Sequence, residues 1–204
     1  MGAVTTEGAD GIVDLYERHV DAWDRLRSRT LFERPWLDRF AALLPASAAV
    51  LDIGCGAGEP IAAHLSGRGF RVTGVDSSSA MIAKAQSRMP EQCWHVADMR
   101  ALALGRRFDG ILAWDSFFHL TRDDQRTMFP IFRDHAAESC VLMFTSGTSD
   151  GEAMGTFEGE PLYHASLAPK TYRALLAEAG FEVVSYMADD PACGGHTIWL
   201  ARRV

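Results

Sequence analysis

Three glycines at alternate positions follow an apolar run in the stretch VLDIGCGAGEP, residues 50–60. The run predicts a buried β-strand, and Pro60 suits the first turn of a helix because its missing N–H costs nothing there. Glycine permits backbone angles that other residues avoid and leaves room for a ligand against the main chain. The stretch therefore predicts a strand, a ligand-binding turn and a helix, as in an open α/β sheet.

Beyond this stretch, short strand-like runs alternate with helical stretches, which is typical of a parallel sheet covered by helices. The predicted strands are residues 49–53, 70–76, 93–98, 108–114, 140–146, 181–187 and 196–202, the last two as an antiparallel hairpin. Ser77 is expected to cap the helix after the second strand, and Pro130 to kink or break the helix that begins near Thr121. The long connection 147–169 predicts a binding loop or lid.

A chain of 204 residues, 48% of them hydrophobic, has the size of one globular domain. We expect one domain over residues 1–204, with a helical cap at 1–45 and the α/β core at 46–204. The aromatic helical segment 11–44 fits two roles equally well, a helix pair packed on the sheet edge or a cap over the bound ligand.

The net charge and the cysteines of the chain limit the classes of partner, the location and the metal sites that we expect. The net charge is -7 with no basic run, so nucleic acid is not expected as a partner. No apolar run approaches the ~18 residues needed to cross a membrane. Four widely spaced cysteines, without a secretion signal at the N-terminus, predict a cytoplasmic location, and their spacing does not favour a metal site. The oligomeric state stays open.

The spacing of the glycines bears on the ligand. A dinucleotide fingerprint reads G-x-G-x-x-G, whereas this chain has G-x-G-x-G followed at once by Glu59, whose carboxylate would repel a pyrophosphate but not a cation. Asp76 ends the second predicted strand, from which a carboxylate can accept both ribose hydroxyls. Asp98 ends the third and precedes Met99, so an acceptor for an exocyclic amine adjoins an apolar side chain suited to a purine.

With these features the chain resembles the class I S-adenosylmethionine-dependent methyltransferases over residues 50–204. The matching motifs are LDIGCGAG, GVDSS, ADM and FDGILAWDSFFHL, in the family's order and spacing. The resemblance implies a doubly wound, mostly parallel seven-stranded sheet of order 3-2-1-4-5-7-6, in which only the last strand along the chain is antiparallel. It also implies S-adenosylmethionine as the cofactor. The cofactor-binding residues that it implies are Asp52, Gly54, Gly56, Gly58, Asp76, Ser77, Asp98, Met99, Trp114 and Asp115.

Methyl transfer is a displacement at a sulfonium carbon, in which the protein mainly aligns the reactants. His119 follows the fourth strand, where this fold meets its acceptors, and is the first candidate for a general base; His164 in the long connection is the second. Burial of either histidine in a packing role is an equal alternative. Ser116, Phe117 and Tyr163 are candidate contacts to the acceptor, which we expect to be a small molecule.

Two other functions compete with a methyltransferase. The same motifs would serve a non-catalytic S-adenosylmethionine-binding regulatory or partner protein, because they concern the cofactor alone. A nicotinamide oxidoreductase is disfavoured by the glycine spacing and by Glu59.

Overall fold

A seven-stranded sheet lies at the centre of the computed structural model, which describes residues 7–204. The first six residues of the expected cap, and the N-terminal sequence considered for a signal, lie outside the described residues. The strands of this sheet are β1 Ala49–Ile53, β2 Arg71–Asp76, β3 Cys93–Val96, β4 Phe108–Ala113, β5 Ala136–Ser146, β8 Phe181–Asp190 and β9 His196–Arg203. A separate pair is formed by β6 Gly151–Phe157 and β7 Glu160–Ser166.

Eight helices surround the strands in the described part of the chain. They are α1 Glu7–Asp10, α2 Ile12–Arg18, α3 Val20–Leu26, α4 Arg34–Ala42, α5 Ile61–Gly67, α6 Ser79–Arg88, α7 Arg122–His135 and α8 Pro169–Glu178. Three short 3₁₀ turns lie at Met99–Ala101, Phe117–His119 and Pro191–Cys193.

The strand order is β3-β2-β1-β4-β5-β9-β8, and β9 is antiparallel to both of its neighbours. The predicted doubly wound sheet is confirmed, with the last two strands renumbered because the hairpin β6–β7 precedes them. Alternate residues of β1 enter two cores, since Leu51 packs on the side of α7 and α8 while Val50 packs on the side of α4 and α5. Burial of both faces explains why the strand reads as a continuous apolar run.

One local expectation was wrong, and two others are corrected in part. Ser78, not Ser77, caps α6, since its side chain accepts a hydrogen bond from the Met81 N–H. Helix α7 runs through Pro130 without a break. The connection 147–169 is mostly a β-hairpin, although its composition of glycine, threonine and acidic residues gave no clear strand pattern.

The N-terminal segment packs in two places. Helix α4 packs on the sheet, where Trp36 and Phe40 are almost fully buried. Helices α2 and α3, which we call the cap, reach α6: Glu17 accepts hydrogen bonds from both the Ser78 and Ser79 hydroxyls. These two hydrogen bonds hold the cap next to the end of β2.

One glycine of the turn after β1 serves packing. Gly58 has φ +79°, and a Cβ there would lie 2.6 Å from Met89 Cε and 3.0 Å from Trp94 Cη2. A side chain would therefore need both a left-handed backbone and displacement of the buried Met89 and the partly buried Trp94.

We predict that Gly58→Ala lowers the free energy of unfolding by about 2–4 kcal/mol, from backbone strain plus overpacking. Gly105→Ala is the matched control, because Gly105 has φ +64° with open space around its Cβ position. The control should lose only about 1 kcal/mol. Urea denaturation measures both, and equal losses would contradict the packing role.

Candidate active site

Two adjoining cavities lie where β1, β2 and β4 end. The first cavity is lined by Gly54, Gly56, Asp76, Ser77, Ser78, Met81, Asp98, Met99, Ser116 and residues of α1 and α2. The second cavity, of about 300 Å³, is lined by Arg27, Asp52, Cys55, Glu59, Trp114, Phe118, His164, His196 and others. Both cavities share Tyr16, Trp23, Gly54, Asp115 and His119, so the two form one continuous site.

Asp76 connects the glycine turn to the end of β2. Its Oδ2 accepts a hydrogen bond from the Gly56 N–H and its Oδ1 one from the Ser78 N–H, both at 2.9 Å. Burial raises the pKa of this carboxyl, although the two backbone hydrogen bonds oppose the rise. The carboxyl is thus fixed in position on the wall of the first cavity.

Asp98 and Met99 line the same cavity. Arg100 pairs with Asp98 at 2.6 Å and, through this hydrogen bond, lowers the pKa of the Asp98 carboxyl. The Ser77 hydroxyl donates to the Ala97 carbonyl, which joins the ends of β2 and β3 on this wall. Ser77, Asp98 and Met99 thus lie together on one wall of the first cavity, as the sequence predicts.

The two glycines of the cavity make different close contacts. A Cβ at Gly54 would lie 2.2 Å from Ser116 Cβ, and one at Gly56 would lie 2.8 Å from Cη2 of Trp23. Gly58 lines neither cavity, so its predicted place against the cofactor is corrected to the packing position described above.

Carboxyl groups dominate the charge of the second cavity. Burial, together with the charge of Asp76, raises the pKa of Asp52 to about 7. Asp115 and Glu59 add two further carboxyls. Arg27 is the one arginine or lysine among the lining residues, and it pairs with the fully buried Glu33. The lining therefore favours a cationic ligand over an anionic one.

The contacts of His119 identify its tautomer. Its Nδ1 lies 2.8 Å from the Tyr163 carbonyl, which can only accept, so Nδ1 carries the proton. Its Nε2 lies 3.1 Å from the Tyr16 hydroxyl and must accept from it. Burial lowers the pKa of His119 to about 4, so the ring is neutral near pH 7 and a weaker base than its sequence position suggests.

His164 lies beside this pair. Its ring centroid is 4.9 Å from that of His119 and 5.3 Å from that of Phe118. Partial burial lowers the pKa of His164 as well. The hairpin β6–β7 thus brings the second predicted histidine to the site, as a wall of the second cavity.

Two of the three predicted acceptor contacts lie elsewhere. Phe117 is fully buried in the core among Phe129, Phe144 and other rings. The Tyr163 side chain packs with Ile12 in a small core under α2, and only its carbonyl reaches the site, through His119. Ser116 does line the first cavity, with its hydroxyl donating to the Ile53 carbonyl.

Several lining residues were not recognised as site residues from the sequence, and four of them bear on the chemistry. Tyr16, Trp23 and Arg27 come from the cap or its end, and His196 begins β9. The aromatic residues among charges in the N-terminal segment were the one available signal for the first two. His196 sits beside Asp115 only because β9 pairs with β5.

Residues 7–204 show neither a metal-binding cluster nor a membrane-spanning helix. These residues contain no group of three or more side chains suited to a metal ion. None of their helices is long and apolar enough to cross a membrane.

Sequence comparisons identify the central part of the chain. Residues 50–138 match the family model described as a methyltransferase domain. A putative methyltransferase, YqeM of Bacillus subtilis, is 30% identical over 135 residues, covering 63% of this chain and 54% of the relative. A dTDP-3-amino-3,6-dideoxy-alpha-D-glucopyranose N,N-dimethyltransferase of Streptomyces fradiae is 38% identical over 77 residues, covering 37% and 30%. The matches thus span about half or less of these relatives.

The fold has solved counterparts. The 1,6-didemethyltoxoflavin-N1-methyltransferase of Burkholderia thailandensis, solved with S-adenosylhomocysteine bound, aligns with a TM-score of 0.77 at 22% identity, covering 100% of this chain and 92% of the other. The seven-stranded sheet of this chain thus has the fold of that methyltransferase. Residues 50–138 carry a methyltransferase domain.

The buried Asp52 generates a pH-dependent prediction. Its pKa rises from about 4 in an unfolded chain to about 7 in the folded protein, so this carboxyl contributes stability at low pH that is lost as the pH rises toward 7. Asp52→Asn should therefore stabilise the protein relative to wild type, by a gain that grows between pH 4 and pH 7 and then levels off.

Thermal unfolding followed across this pH range measures the gain. Asp134→Asn is the control, because the Asp134 side chain is 65% exposed. An Asp52→Asn gain that did not change with pH would contradict the buried-carboxyl account.

Proposed function

We propose that this protein transfers the methyl group of S-adenosylmethionine to a nitrogen of a small, basic acceptor. The acidic lining of the second cavity is the observation that carries the choice of acceptor: of its three carboxyl groups, Asp115 pairs with His196 and Glu59 with Arg29, Arg27 is already paired with Glu33, and Asp52 keeps no cationic partner within residues 7–204. A cationic or amine-bearing molecule complements such a lining, whereas a carboxylate would be repelled.

The residues of the first cavity fit the nucleoside of the cofactor. The Asp76 carboxyl would accept the ribose hydroxyls, Ser77 would lie near the adenine, and Asp98 with Met99 would frame the base. Gly54 and Gly56 line this cavity and would lie against the ligand, and a side chain at either would displace Ser116 or Trp23, which line it as well. The cofactor itself supplies a methyl group on a positively charged sulfur, already activated for displacement.

The residues near the methionyl part carry charges of both signs. Arg27 would attract its carboxylate, while Asp52, Asp115 and the backbone at Trp114 would face its ammonium. The shared lining of the two cavities would place the sulfur near Tyr16, Asp115 and His119, so that the methyl group faces the second cavity.

Tyr16 and His119 would orient the acceptor. Because the Tyr16 hydroxyl donates its proton to His119 Nε2, its oxygen lone pairs remain free to accept from an acceptor N–H. A basic acceptor must first release its proton to solvent, because only the neutral amine has a lone pair; that amine then attacks the methyl carbon without a base, so alignment by this pair suffices. His119 thereby acts through Tyr16 and does not serve as the general base that the sequence suggested. His164 and Ser116 would complete the wall of the acceptor site.

The names of the relatives do not decide the acceptor. One is named for an amino sugar and N,N-dimethylation, another for trans-aconitate. The charge of the cavity favours the amine. The non-catalytic alternative and a nicotinamide oxidoreductase are not favoured, since the domain match and the named relatives are methyltransferases.

The proposed function also includes a domain organisation, a location and a class of partner. The cap and core would act as one domain, supported by the core that α4 shares with the sheet. The four cysteines are all unpaired, which supports a cytoplasmic location. The acidic net charge supports small molecules over nucleic acid as partners.

We predict that Asp76→Asn weakens S-adenosylmethionine binding by about 1.5–3 kcal/mol, or roughly 10- to 100-fold, because a charge-assisted hydrogen bond is lost. Isothermal titration calorimetry measures the affinity, and circular dichroism checks the fold. Asp38→Asn on α4, outside both cavities, is the control and should bind like wild type. Unchanged affinity of Asp76→Asn would remove Asp76 from the ribose site.

The acceptor class is tested with labelled S-adenosylmethionine and a panel of small amines matched to carboxylic acids of similar size. We expect labelled N-methyl products and no methyl esters, analysed by mass spectrometry. Methyl transfer to the acids alone would refute the amine assignment. Saturable cofactor binding without transfer to the panel or to a metabolite extract would favour the non-catalytic alternative.

On an accepted amine, Tyr16→Phe should lower kcat by roughly 10-fold while changing the cofactor affinity little, since an orienting hydrogen bond is lost. His119→Gln tests the same pair from the other side and should lower kcat to a similar degree. Full turnover in both variants would show that the pair does not orient the acceptor.

A further inference from the structure

His196 at the start of β9 has both ring nitrogens engaged. Its Nδ1 lies 2.6 Å from the Cys193 carbonyl, which can only accept, so this nitrogen carries a proton. Its Nε2 lies 2.8 Å from Oδ1 of Asp115. This is an ion-pair distance, and Oδ1 of Asp115 is buried without a hydrogen-bond partner of its own in the described part of the chain; a neutral ring would present an Nε2 lone pair to that oxygen, so the contact favours a second proton and a positively charged ring.

The surroundings support this charged form. Burial alone would lower the pKa of His196, but the hydrogen bond and charge of Asp115, with smaller effects from the Cys193 carbonyl and Glu33, raise it above the usual value. The ring lies between Trp114 and Phe32, each with its centroid 5.5 Å away. Contact with two aromatic faces favours a cation at this position.

Asp115 is held from two sides. Its backbone is left-handed, with φ +49°, an uncommon conformation for a residue other than glycine. Its N–H donates to the Thr145 hydroxyl at 2.9 Å, and its carboxyl meets His196. The result is a carboxyl fixed at the junction of the first and second cavities.

We propose that His196 is a positioning residue, which holds the Asp115 carboxylate in place to receive the cationic cofactor. The proposal deepens the function proposed above and rests on it. With both nitrogens engaged, His196 neither accepts a proton from the acceptor nor contacts it, so its effect passes through Asp115.

Several other groups titrate or carry charge near this pair. Around His196 they are Asp115 after β4, Glu33 before α4 with its partner Arg27, and Cys193 before β9. Around Asp115 they also include Tyr16 of α2, His119 after β4 and His164 of β7. A test of His196 must therefore compare variants at each pH and not rely on one pH profile.

The test is a double-mutant cycle on S-adenosylmethionine affinity, measured by calorimetry between pH 6 and pH 9. In the wild-type background, His196→Gln should weaken binding roughly 10-fold near pH 6, the effect of one charge-assisted hydrogen bond. The loss should shrink as the pH rises, because wild-type His196 then loses its proton. In the Asp115→Asn background, His196→Gln should have little further effect.

The controls separate this role from a general loss of structure. His64→Gln on α5, where His64 lies 3.8 Å from the Asp38 carboxyl away from both cavities, should bind like wild type at every pH. Proton NMR of the wild-type protein gives a readout independent of the variants: the His196 pKa should lie above 6.5 and fall in Asp115→Asn.

The outcomes are distinct. Unchanged or tighter binding by His196→Gln, an equal loss in both backgrounds, or a His196 pKa at or below 6.5 overturns the positioning role. If wild type binds no S-adenosylmethionine at all, the proposed function fails first, whereas wild-type binding with any of the preceding results refutes the positioning role alone.

Discussion

The site depends on hydrogen bonds that fasten the glycine turn after β1 to the end of β2. The N–H groups of Gly54 and Cys55 both donate to the Val75 carbonyl, at 2.7 and 3.0 Å, and the next N–H, of Gly56, donates to the Asp76 carboxyl. Three successive donors thus fold the turn back over the neighbouring strand. The Asp76 carboxyl, which would bind the ribose, also holds the glycine turn in its conformation. One side chain therefore serves both ligand binding and the fold of the turn.

The cap is held over this turn mainly by polar contacts. Glu17 accepts from Ser78 and Ser79 at the start of α6, and Asp24 pairs with Arg88 at its end, at 2.5 Å. Partly exposed ion pairs each contribute little, up to about 1 kcal/mol. Trp23 nevertheless packs against Gly56 and lines both cavities, so the cap completes the site that the sheet begins. A ligand entering the first cavity must therefore pass or displace cap residues.

Sequence patterns predicted the parts of this structure that depend on local chemistry. The grouping of Asp76, Ser77, Asp98 and Met99 followed from strand ends, which meet at one edge of a parallel sheet, whereas the strand order was implied by the family resemblance. Phe117 was misplaced because an aromatic residue after β4 suits the core as well as a pocket. Tyr16 and His196 depend on contacts across more than 80 residues, with His119 and Asp115, which no local pattern specifies.

Electrostatics connect these observations to the choice of ligand. Asp52 is buried beside the glycine turn, and this burial, with a smaller effect from the charge of Asp76, raises its pKa to about 7. Asp98, Glu59 and Asp115 each have a cationic partner within 3 Å, namely Arg100, Arg29 and His196, whereas Asp52 and Asp76 form no ion pair with a described residue. S-adenosylmethionine carries a positively charged sulfonium and a positively charged ammonium group. In the site these charges would lie near the carboxyls that have no cationic partner and would favour the ionised forms of those carboxyls. Since the demethylated product lacks the sulfonium charge, the same carboxyls would favour the cofactor over its product, and release of the product would be coupled to uptake of protons by the site.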